Sequence, residues 1–164
     1  MAISKAMTAK LNDQITHEFY ASQIYLAMAC MFESMSLKML AGWFRMQAEE
    51  ERGHALKLLN YILTQQGTVT LGAIPKPATE YPSVPAAIEA AVKHEIKVTG
   101  QINDLVALAE KEKDYATRSF LQWFVNEQVE EVDSVSHLHE IAKMASKNLL
   151  QLEGYVAHLG RGKS

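Results

Sequence analysis

A chain of 164 residues, 48% hydrophobic and 21% charged, is long enough to bury one core and fits one domain, residues 1–164. Its net charge of −3 argues against the basic face that nucleic-acid binding needs, and no apolar run approaches the roughly 18 residues of a membrane span. The single Cys30 excludes an intrachain disulfide and any multi-cysteine metal knot.

The first ten residues lack the apolar stretch of a secretory signal, so a cytoplasmic chain is expected. Strong helix formers then run without breakers and predict a helix over about 7–34, with Cys30 as a packing residue. A second helix is predicted over about 37–66, with Ser36 as its N-cap. All four prolines (Pro75, Pro77, Pro82, Pro85), with Gly67 and Gly72, fall in the next segment. A third helix follows over about 84–112, capped by Ser83 with Pro85 in its first turn. A fourth is predicted over about 115–146 with Asp114 as cap, then a short fifth over about 148–159 and a flexible tail at 160–164.

No strand pattern competes, so the fold class is all-α. Short links make the first two helices one antiparallel hairpin and the third and fourth another. The link between the hairpins, about 17 residues, is long enough to run the length of a bundle and leave the second and third helices parallel. The expectation is a four-helix bundle with one long crossover and a short fifth C-terminal helix.

Stepping alternately four and three residues traces the buried seam of each helix. The first gives Leu11, Ile15, Glu18, Ser22, Tyr25, Ala29 and Phe32; the second gives Leu40, Phe44, Gln47, Glu51, His54, Leu58 and Tyr61. The third gives Ile88, Val92, Glu95, Thr99, Ile102, Val106 and Ala109; the fourth gives Thr117, Leu121, Phe124, Gln128, Glu131, Val135 and Leu138. Each seam is apolar at its ends and polar near its middle, so Glu18, Glu51, His54, Glu95, Gln128 and Glu131 are expected at one height. No lysine or arginine occupies these positions. Buried carboxylates without counter-charge are costly, and divalent cations resolve the conflict. Carboxylates with one imidazole suit iron, manganese or zinc better than calcium. Glu51 and His54 form a Glu-x-x-His pair on one helix face.

Glu18, the Glu51-x-x-His54 pair, Glu95 and Gln128 within Asn126-Glu127-Gln128-Val129-Glu130-Glu131 resemble the ferroxidase centre of prokaryotic non-haem ferritins. The resemblance covers nearly the whole chain and implies a ferritin-like bundle. It implies one iron at Glu18, Glu51 and His54, and another sharing Glu51 and adding Glu95, with Glu131 nearby and Gln128 as a polar neighbour. A third iron site would use Glu50, Glu127 and Glu130 with Glu131, and Tyr25 looks like the family's tyrosine beside the di-iron pair. The fourth helix has no second Glu-x-x-His, and Arg52 stands where bacterioferritins carry their haem-ligating methionine, so no haem is expected.

The activity so implied is ferroxidase: Fe(II) is oxidised to Fe(III) by dioxygen or hydrogen peroxide. The ferric product would be stored as oxyhydroxide mineral in a hollow homo-oligomer of 24 subunits. The alternative is a di-iron redox enzyme, an oxygenase or peroxidase without mineral storage, which would need an apolar substrate pocket beside the irons. Met28, Met31, Met35, Met39 and Met46 read as gap-filling packing residues.

Overall fold

Short polar side chains set most helix starts. In the computed structural model, which describes residues 2–162, α1 spans Lys5–Ser34, and the hydroxyl of Ser4 accepts from the Met7 amide. α2 spans Lys38–Thr64, α3 Val84–Lys111, α4 Tyr115–Ala145 and α5 Leu149–Gly162. Ser83 and Asp114 cap α3 and α4 through bonds to the amides of Ala86 and Thr117, satisfying donors the first turn leaves free. Among the described residues there is no strand, and no helix is long and apolar enough to cross a membrane.

The start of α2 differs from the sequence expectation. Ser36 is not its cap: it sits at φ 63°, ending α1 in the left-handed conformation, and Leu37 N–H bonds back to Phe32 C=O. The N-cap position falls to Leu37, which has no side-chain acceptor to offer. The carboxylate of Glu153 on α5 supplies one instead, accepting from the amides of Met39 (3.0 Å) and Leu40 (2.8 Å). α5 itself runs past the expected residue 159 to Gly162; of the expected tail, residues 163–164 lie outside those described.

The apolar core is divided in two. One cluster holds Met7, Leu11 and Ile15 with Leu58, Ile62, Ile102 and Leu121; the other holds Phe32, Leu40 and Phe44 with Ile88, Val135 and Leu138. Val69, early in the crossover, packs on the first cluster, and Tyr81, at its end, on the second, so the crossover traverses the bundle. Asn12 pins its start, donating to Thr68 C=O and accepting from Thr70 N–H. Leu152 and Val156 of α5 join the second cluster.

The helix pairs are not equally close. α1 packs along α2, α3 along α4, and α1 approaches α3, but among the described residues no Cα of α2 lies within 8 Å of one of α4. Two further expectations are corrected here. Cys30 is exposed rather than packed, because it lies off the seam that Ala29 and Phe32 define. Met28 is buried and Met31 packs on the core, whereas Met35, Met39 and Met46 are exposed.

Candidate metal centre

Between the two apolar clusters lies a band of buried polar side chains: Gln14 and Glu18 from α1, Gln47, Glu51 and His54 from α2, Glu95 from α3, and Gln128 and Glu131 from α4. Helical periodicity puts them there. Each stands on the inward stripe that its helix also uses for buried apolar side chains one turn away.

Three donor groups overlap in this band, with ligand atoms in each lying within 4.8 Å of one another. Glu18, Glu51 and His54 form the first, Glu51, Glu95 and Glu131 the second, and His54, Glu127 and Glu131 the third. His54 Nδ1 lies 3.3 Å from Glu51 Oε2 and 3.8 Å from Glu18 Oε2, while its Nε2 faces Glu127 at 3.8 Å. Glu50 is half-buried and lies against Glu131, whereas Glu130 is exposed and joins none of the three groups.

The hydrogen bonds are distributed unevenly. Gln14, which the sequence pattern did not single out, donates to Glu18 Oε1 at 3.0 Å; its place four residues before Glu18 on the same face was the available signal. Glu95 accepts from the Tyr25 hydroxyl and, at 3.1 Å, from Gln128 Nε2, which also reaches Thr99 Oγ1 at 3.1 Å. Glu18 Oε2 and Glu51 Oε1 are fully buried with no partner. Two buried carboxylate oxygens without donors are what a cation site requires and what a closed hydrogen-bonded network avoids.

Electrostatics repeat the pattern. Burial pushes Glu51 well above the usual carboxylate range, and the charges of Glu18 and Glu95 push the same way. Burial, then the charges of Glu95 and Glu50, lift Glu131 to about 8. Burial raises Glu95 as well, against hydrogen bonds from Tyr25 and Gln128. Burial acts upward on Glu18 too, but the nearby His54 ring, the neighbouring Glu51 carboxyl and the bond from Gln14 outweigh it and leave the group below its ordinary value. His54 is raised: burial disfavours its cation, and Glu18 more than offsets this. Without metal, the band is neutral only by holding protons on several carboxyls, which divalent cations would displace.

Aromatic side chains enclose the histidine. Trp123 and Phe124 meet the His54 ring edge to face, at centroid distances of 5.4 and 6.0 Å. A separate apolar groove of about 700 Å³ runs between α2, α4 and α5, past Trp43, Met46, Gln47 and His137. None of Glu18, Glu51, His54, Glu95 or Glu131 lines it, so it is not the substrate pocket that the di-iron enzyme alternative needs.

A profile of the ferritin-like domain matches residues 8–144. This chain belongs to the ferritin family. It is 38% identical to the ferritin BfrB of Mycolicibacterium smegmatis, over 95% of this chain and 86% of that one. It is 42% identical to a bacterial non-heme ferritin of Staphylococcus saprophyticus, over 79% and 77% of the two chains. Its fold superposes on an open pore ferritin from the archaeon Archaeoglobus fulgidus with a TM-score of 0.92, at 40% identity, covering 94% and 96% of the chains. Iron storage with ferroxidase activity is therefore the function of this ferritin; iron is what it binds, and it assembles as a cage-forming homo-oligomer.

Proposed function

We propose that Glu18, Glu51 and His54 hold one ferrous ion, and that Glu51, Glu95 and Glu131 hold a second, with Glu51 shared. The observation that carries the assignment is the overlap of the donor groups around two unpartnered carboxylate oxygens, Glu18 Oε2 and Glu51 Oε1. Ferrous iron is the substrate. Two Fe(II) ions surrender one electron each, reducing dioxygen to hydrogen peroxide with uptake of two protons, or hydrogen peroxide to water. The carboxylates match the charge of the cations, and Gln14, Tyr25 and Gln128 orient Glu18 and Glu95 through their hydrogen bonds. Glu51 and Glu131, protonated without metal, give up their protons as the ions enter.

Exposure suggests which way product leaves. Glu18 and Glu51 are sealed, Glu131 is 6% exposed, and the Glu127 side chain is 27% exposed. Glu127 groups with His54 and Glu131, and Glu50 lies against Glu131; we assign the third iron site to this more exposed edge of the band. Glu130, exposed, joins none of the donor groups. The working assembly is a hollow shell of 24 copies in the cytoplasm.

Anaerobic titration with Fe(II), followed by air, tests the assignment. Two tight ions per chain are expected. Glu18→Ala and His54→Ala should each remove one and slow oxidation at least about tenfold, with the shell still assembled. Wild-type stoichiometry and rate in both variants would overturn the ligand set.

A further inference from the structure

α2 and α4 carry Glu51, His54, Glu127 and Glu131, yet side chains alone bridge the space between them. Just beyond His54, one bridge contains no ligand. Lys57, one turn along α2 from His54, places Nζ 3.4 Å from the centroid of the Trp123 ring on α4. That indole in turn meets His54 edge to face, at 80° between the planes. Lys57 makes no ion pair among the described residues, so the indole face is its partner.

We propose that Lys57 is a positioning residue for the metal centre. Its ammonium clamps Trp123, and Trp123 holds the His54 ring with Nδ1 turned towards Glu18 and Glu51. This rests on the assignment of His54 as a ligand. Packing alone does not fix the indole, because Trp123 is 38% exposed, and a cation over its face supplies the restraint that burial lacks. The alternative role for a lysine here, plain electrostatics, predicts the opposite sign. A positive charge near the site repels metal ions, so its removal would tighten binding. Loss of a clamp weakens binding, because the ligand must then be ordered at the expense of binding energy.

The test uses metal-free shells carrying Trp43→Phe, so that Trp123 is the only fluorophore of its kind. Cobalt(II) is titrated while its visible absorption and the indole fluorescence are followed. Lys57→Met should weaken one cobalt site about fivefold, the scale of a cation–π contact at a half-exposed position. Lys57→Arg, which also stacks on indole, should stay within about twofold of the parent. In a Trp123→Leu background, Lys57→Met should have no further effect. Unchanged or tighter binding in Lys57→Met, equal weakening in Lys57→Arg, or an undiminished effect without Trp123 would each overturn the clamp. His54→Ala separates the two levels of the argument. If it leaves cobalt binding intact, the ligand assignment fails and the clamp with it; if it weakens binding while Lys57→Met does not, only the clamp fails.

Discussion

Glu131→Gln should stabilise the metal-free protein, and by an amount that grows with pH. Glu131 is lifted from an ordinary 4.5 to about 8 by burial and by the charges of Glu95 and Glu50. A carboxyl with a raised folded-state pKa contributes its full share of stability below pH 4.5. That contribution drains away as pH rises towards 8, because the unfolded chain ionises first. Linkage over that interval amounts to about 3 kcal/mol at pH 7 and about 1 kcal/mol or less at pH 5. Glutamine has nearly the same shape and no proton to lose, so it escapes this loss. In chelator-treated shells the variant's thermal midpoint should exceed that of wild type by about 6–12 °C at pH 7. Near pH 5 the gap should shrink to a few degrees. Calorimetry at the two pH values measures this directly, with size-exclusion chromatography to check that the shells remain intact. An equal gap at both pH values, or a variant less stable than wild type at pH 7, would refute the claim that this carboxyl is held against its preference for water. The same substitution should slow iron oxidation, since it removes a charge that the metal needs.

Three further outcomes follow from other parts of the molecule. Zinc binding to metal-free shells at pH 7 should release protons, because Glu51, Glu131 and His54 are all shifted towards their protonated forms, measurable by pH-stat; release near zero would mean that these groups hold no proton before the metal arrives. Tyr25→Phe removes a hydroxyl donor from Glu95 and should cost about 1–2 kcal/mol of stability in thermal unfolding while weakening the second metal site, with Gln128 still in place. Glu153→Ala strips both acceptors from the start of α2 and should cost about 1–2 kcal/mol, with faster amide exchange at Met39 and Leu40; Glu153→Gln should recover part of the loss.

The sequence revealed what depends on one helix at a time. Glu18, Glu51, Glu95 and Glu131 share a height because each stands on its own apolar seam, and a seam can be followed without knowing its neighbours. Ser83 and Asp114 were readable as caps because their partners lie three residues ahead. What stayed hidden depends on pairing across space. The acceptor for the start of α2 comes from Glu153, more than a hundred residues away, so the nearby Ser36 was the only visible candidate and the wrong one. Trp123 and Lys57 lie off the seams, and only the register of α2 against α4 brings them together over His54. Cys30 read as apolar because its neighbours are, although a helix turns it outward.

The unequal spacing of the helices also gives the subunit a direction in which to yield. Two hairpins whose backbones approach along α1 and α3, and stand farther apart along α2 and α4, resemble a book with a tight spine and a fore-edge closed by side chains, among them Tyr61 stacked on Phe120. Glu51 on α2 and Glu131 on α4 face each other across that fore-edge, so an ion held between them, as proposed, would act as a clasp. Each cycle of filling and emptying the centre would then close and release the covers slightly. The centre's rigidity would then depend on its cargo.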